Sequence, residues 1–262
     1  MSFAADALTQ YIPFEVEHRL VNTIDIDTDA DSTGPVPVYL QALADDLSQK
    51  MQLPDEMKIT VSVVNSDVIN AFATLGGNVV FFTGLLDNMP NENTLAMVMA
   101  HEIAHIKLRH PLRALGRGVV VGLAVATLAG AGSNSIVDDL IGSTGLLTAL
   151  SFTRDQESAA DELAVAALVS RYGHAEGSTQ LFEVLSREYG DSNEPANSLP
   201  RTKMPEFFST HPLSQNRIMA IEVQTRKNNW PIKGNAREIP KSILEEVKRL
   251  HEDLQNRKTK AI

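Results

Sequence analysis

Apolar positions recur along the chain at spacings that predict its elements. Pro37 to Met51 carries them at helical intervals, between the polar loop TDADSTGP and Pro54, and predicts an amphipathic helix. From Met57 the run MKITVSVVNS alternates and is rich in Val, Ile and Thr, which predicts a strand. NAFATLGGNVVFFTG adds two short β-prone runs around Gly76 and Gly77, so two or three strands with one hairpin are expected. From Asn93 to Arg109 the run NTLAMVMAHEIAHIKLR is apolar nearly all round, as a buried helix is, and Pro111 is expected to close it. Helix is expected again from Arg154 to Arg171, stopping at Gly173 and resuming to Tyr189. The stretch DSNEPANSLPRTKMPEFF reads as a loop, Pro212 suits the first turn of a helix PLSQNRIMAIEVQTR, and a charged amphipathic helix from about Ser242 ends the chain.

Residues 118–153 stand apart, because Asp138 and Asp139 are the only charges in an apolar, Gly- and Ala-rich segment. One membrane span takes about 20 apolar residues, so two spans and a turn do not fit there. A helical hairpin is expected, over or beside a cleft, touching a bilayer surface without crossing it and keeping its acidic tip in water. The first twenty residues lack a basic leader and a continuous apolar stretch, so no secretory signal is expected in them, and a membrane anchor ahead of them stays open.

The pattern amounts to a mainly helical α+β fold, a single domain over 1–262, with 227–262 as a helical C-terminal extension. A 43% hydrophobic and 21% charged composition is that of a soluble globular chain. The formal charge of -10 offers no basic surface for phosphates and argues against nucleic acid as a partner. With no cysteine, thiol catalysis and Cys-ligated zinc are excluded, while the redox compartment stays open.

The chemistry concentrates in His101-Glu102-Ile103-Ala104-His105. Residues i and i+4 share a helix face, so both imidazoles reach one tetrahedral ion, and Glu102 lies beside them. Polar groups on an apolar helix cost about 1–3 kcal/mol each if buried unpaired, and a metal supplies their partner. A catalytic zinc takes a third protein ligand. His110, five residues beyond His105, points well off their shared face and reads as a solvated helix end. Glu157 in RDQESAAD is the better candidate, with Asp161 one turn on to accept the second N–H of a ligand histidine. Ala164, a further turn on, is small enough to let this helix pack closely on the HEIAH helix.

HEIAH, RDQESAAD, NAFATLGG with FFTGLL, and STHPLSQNRI occur in this order and together resemble peptidase family M48, the gluzincin metallopeptidases, from about Ile12 to Arg226. The resemblance implies a zincin-type domain with a small sheet beside the HEIAH helix. It implies one zinc ion at His101, His105 and Glu157, with Glu102 as general base. It also implies that Asn70, Ala71, Phe72 and Ala73 lie on an edge strand that holds substrate in extended form, and that His211 and Arg217 approach the substrate carbonyl. A loop histidine occupies the open zinc position in some relatives, which gives His211 a second, inhibitory role. Within the 262 residues no helical repeat array is expected after the protease-like region, and no clear spanning pair is expected inside it. The expected activity is zinc-dependent endopeptidase action on unfolded or membrane- and envelope-associated proteins in quality control, on the periplasmic side of a membrane. The alternatives are a zinc-binding but silent, chaperone-like protein held shut by His211, and a membrane-interacting module built on 118–153.

Overall fold

The computed structural model describes residues 12–21, 33–116, 152–189, 207, 211 and 215–260. Helix α1 covers Phe14–Val21 and α2 covers Pro35–Lys50. Helix α2 starts two residues ahead of Pro37, because prolines fit a first turn whose N–H groups have no partner within the helix. The predicted strands are β1 (Thr60–Val64), β2 (Ala71–Ala73) and β3 (Asn78–Phe82), in the order β1-β3-β2. β2 and β3 form the expected antiparallel hairpin, with Phe72 opposite Val80, and β1 runs parallel to β3. The turn Leu75–Gly77 needs its glycine at 77, where φ is +81° and a Cβ would lie 2.0 Å from the Lys58 carbonyl oxygen.

After the short helix α3 (Thr83–Asp87) comes α4 (Glu92–Lys107), which carries HEIAH. Asn91 caps it, its side chain accepting from Thr94 N at 2.9 Å, and every residue from Glu92 to Ile106 is buried. Helix α5 (Arg154–Tyr172) begins with a capping box between Thr153 and Gln156 and ends at Gly173, where φ is +80°. The pairing of α4 with α5 is the most extensive between any two elements among the described residues. Ala100, Ala104, Ala160 and Ala164 are fully buried in the core these helices share, and side chains this small let helix axes approach closely. β2 and α2 pack on α4 as well. Helices α6 (Gln180–Tyr189), α7 (Gln215–Lys227) and α8 (Lys241–Lys260) complete the described chain, and α8 lies along α2 and α3.

One boundary differs from expectation. α4 ends at Lys107, and Pro111 does not close it but sits in the first turn of another helical stretch, 110–116, where a proline ring is tolerated. Leu108 and Arg109 form the break, with Arg109 at φ +59°. Apart from Phe152 and Thr153, the apolar hairpin of 118–153 lies outside the described residues, as do most of the loop before Phe207 and the helix start at Pro212. Among the described residues no helix is long and apolar enough to cross a membrane.

Ala164→Leu is expected to cost about 1–3 kcal/mol, as overpacking of a filled core does, read as a lower denaturant midpoint at unchanged slope. An unchanged midpoint would show that the interface has room to spare.

Candidate metal centre

Helix α4 supplies His101, Glu102 and His105, α5 supplies Glu157 and Asp161, α7 supplies Arg217, and His211 stands four residues before α7. All seven are buried. His101 Nε2 and His105 Nε2 lie 3.0 Å apart, and each is 3.4 Å from a different Glu157 oxygen. His211 Nδ1 is 3.3 Å from His101 Nε2 and 3.2 Å from Glu157 Oε1. Four ligand atoms from His101, His105, Glu157 and His211 thus lie within 4.8 Å of one another. A tetrahedral zinc with bonds of about 2.0–2.1 Å separates its ligand atoms by about 3.3–3.4 Å, near the 3.0–3.4 Å of the contacts just given.

Charge makes the same point. Glu102, Glu157 and Asp161 are three buried carboxylates, and the one guanidinium among them is Arg217. Arg217 Nε and Nη2 each donate to Asp161 at 2.7 Å, and Nη1 lies 2.7 Å from Glu157 Oε2. Arg217 meets one of these charges at most, and the rest is left to a divalent cation or to protons on the imidazoles and Glu102. Glu102 Oε1 and His211 Nε2 are buried without a hydrogen-bond partner although they are 3.3 Å apart.

The electrostatics follow from these contacts. Burial lowers His101, but Asp161 and Glu157 outweigh it and hold the ring up at about 9, whereas burial and the neighbouring His101 pull His105 well below its ordinary value. Burial opposes the charged forms of Glu157 and Asp161, yet His211 and His101 around the first and Arg217 on the second keep both below the usual carboxylate range. Glu102 is pushed up by burial, against the pull of His211 and His101. Asp161 Oδ1 lies 3.0 Å from His101 Nδ1, off the line of an ideal hydrogen bond but close enough to hold that nitrogen.

The sequence-predicted residues come together here with two differences. Asn70 to Ala73 adjoin the site as the edge of the sheet, and Ala73 N donates to Glu102 Oε2 at 2.8 Å. That edge is not open, however, since Asn70, Ala71, Phe72 and Ala73 are all buried, and Phe207 N takes the Ile69 carbonyl at 3.1 Å. His110 is not a solvated helix end: it is 2% exposed, and its Nδ1 lies 2.9 Å from His105 Nδ1. The expectation assumed a continuous helix, which the break at Arg109 interrupts. Phe152, not singled out from the sequence, stacks on the His105 ring with centroids 4.0 Å apart. Its position just ahead of RDQESAAD was the only signal for it.

Two helical histidines and a glutamate from a second helix, with His211 beside them, form a donor set that could hold a metal ion. The profile of peptidase family M48 matches residues 38–225, and the chain belongs to that family. It is similar to the beta-barrel assembly-enhancing protease of Escherichia coli, 32% identical over 168 residues that make up 60% of this chain and 32% of the relative. It is also similar to the mitochondrial metalloendopeptidase OMA1 of Saccharomyces cerevisiae, 29% identical over 185 residues, 68% of this chain and 50% of the relative. The chain thus spans about a third of the length of its bacterial relative.

Glu157→Ala is expected to abolish tight zinc binding, and Asp161→Ala to weaken it about 10- to 100-fold, measured by chelator competition. Zinc must displace the proton held on His101, so apparent affinity should rise about tenfold per pH unit up to about 9 and level off above it. A pH-independent affinity would remove His101 from the ligand set.

Proposed function

We propose that the protein is a zinc endopeptidase of the zincin type, one domain over 1–262, which cleaves unfolded or membrane- and envelope-associated polypeptides bound in extended form. The carrying observation is the convergence of His101, His105 and Glu157 beside a buried Glu102 that is tied to the edge strand. Zinc held there supplies a Lewis acid that polarises a peptide carbonyl and makes water acidic. Glu102 is the general base. Its Oε2 is fixed by Ala73 N–H, which leaves Oε1 to take a proton from water and pass it to the leaving amine. A carboxyl raised by burial suits that shuttle better than an ordinary one.

His211 gives the resting protein a further property. Its Nδ1 stands at the fourth corner of the ligand set, so this conformation supports a self-blocked state that substrate or a partner must open. Once displaced, the imidazole is a donor within reach of a developing oxyanion. Arg217 is committed to Asp161 and Glu157, which favours a positioning role through those carboxylates over the direct approach to the carbonyl that the family resemblance implies.

Substrate binding follows from the ladder of the edge strand. Phe82 N donates to the Asn70 carbonyl and Thr74 N to the Asn78 carbonyl, so residues 70, 72 and 74 face β3 and alternation turns Ala71 and Ala73 outward. With the Ala73 N–H held by Glu102, an extended peptide pairs there with Ala71 and the Ala73 carbonyl when Phe207 and His211 move away. Such backbone recognition favours broad specificity. The names of the relatives, one concerned with beta-barrel assembly and one mitochondrial, support quality control at membranes, on the envelope side in a bacterium. Contact of 118–153 with a membrane surface belongs to the same proposal and rests on composition.

Glu102→Gln is expected to keep zinc and lose casein cleavage by several orders of magnitude, because the amide keeps the shape and cannot take the proton; turnover with zinc bound would remove the base. In a cleaved peptide, N-methylation should weaken binding at alternate residues, read as KM along a methyl scan. A flat scan would rule out strand addition.

A further inference from the structure

Every imidazole that ligates a metal through one nitrogen offers the other to its surroundings, and the partner found there fixes the ring. For His101 that partner is Asp161. For His105, whose Nε2 faces the ligand set, the group at Nδ1 is neither a carboxylate nor a backbone carbonyl but the imidazole of His110, 2.9 Å away. Phe152 closes the face of the same ring.

On an unbroken helix a residue five places on points about 140° away from His105 and does not return to it. The chain achieves this contact by breaking. Leu108 and Arg109 leave the helix, Arg109 takes the left-handed φ of +59°, and a new helical stretch starts at His110. A non-glycine residue there is strained and persists only when its surroundings hold it. They do: the Arg109 guanidinium pairs with buried Glu17, donates from Nη2 to the Ile12 carbonyl at 2.9 Å, and lies over the Phe14 ring. Glu17 also accepts from Gly76 N at 3.2 Å, so α1 joins the break to the turn that leads from β2 to β3.

We propose that His110 is a positioning residue for the metal centre: its Nδ1 accepts the Nδ1–H of His105, fixing that ligand's tautomer and aim, and the Arg109 break held by Glu17 exists to deliver it. Two imidazole Nδ1 atoms in hydrogen-bond contact cannot both carry a proton. A His105 that ligates through Nε2 keeps its proton on Nδ1, so His110 Nδ1 is bare and its proton sits on Nε2. The inference rests on the zinc reading of the site.

Two measurements test it. In zinc-loaded protein with 15N-labelled histidine, His110 should give the shifts of an Nε2–H tautomer and His105 those of a protonated Nδ1; a protonated His110 Nδ1 would overturn the assignment. Asn places a carbonyl oxygen where histidine places Nδ1, whereas Phe keeps the ring shape without an acceptor. His110→Asn should hold zinc within about threefold of the parent in chelator competition, and His110→Phe should bind it about 10- to 100-fold more weakly. Equal affinity of the Phe variant would refute the inference while leaving the zinc site standing. If the parent itself binds no zinc, or Glu157→Ala binds it as well as the parent does, the failure lies in the zinc reading.

Discussion

Burying three carboxylates against one guanidinium is the constraint on which the rest of this structure depends. Glu102, Glu157 and Asp161 cannot stay ionised in a dry interior unless cations meet them, and Arg217 supplies only one positive charge. The remainder must come from a divalent ion or, without one, from protons on the surrounding imidazoles, which is why His101 is held so far above its ordinary value. The architecture serves this convergence. Alanines in the α4–α5 core let two helices approach until side chains from both reach one point, and α7 brings the guanidinium to the far side of the carboxylates.

The side chains of the same centre are all buried. His211 Nδ1 lies 3.3 Å from His101 Nε2, and its backbone N donates to the Phe207 carbonyl at 2.8 Å, while Phe207 N holds the Ile69 carbonyl just ahead of the edge strand. Phe207 and His211 therefore meet the edge strand and the candidate metal ligands respectively.

Local chemistry made much of this legible in the sequence, and the tertiary contacts account for what was not. HEIAH could be read because helical periodicity places His101 and His105 on one face, and the same rule put Glu157 and Asp161 together on the next helix. The hairpin was readable from its two β-prone runs and paired glycines. By contrast, the parallel pairing of β1 with β3 joins segments across the hairpin and leaves no local mark. His110 was misread because the i+5 argument holds only on a continuous helix, and the left-handed residue that breaks it is an arginine, stabilised by Glu17 from a distant helix. Arg217 was placed in the site by family resemblance, but its double engagement with Asp161 and Glu157 depends on how α7 packs against α5.

At the centre of the proposed function stands one zinc ion held by three imidazoles and one carboxylate in the resting protein. X-ray absorption at the zinc edge tests it most directly, on full-length protein loaded with one equivalent of metal. The account predicts a four-coordinate shell of light atoms at about 2.0–2.1 Å with the outer-shell scattering of three imidazole rings. A shell with one imidazole or none, or protein that fails to retain the equivalent of zinc, would contradict it.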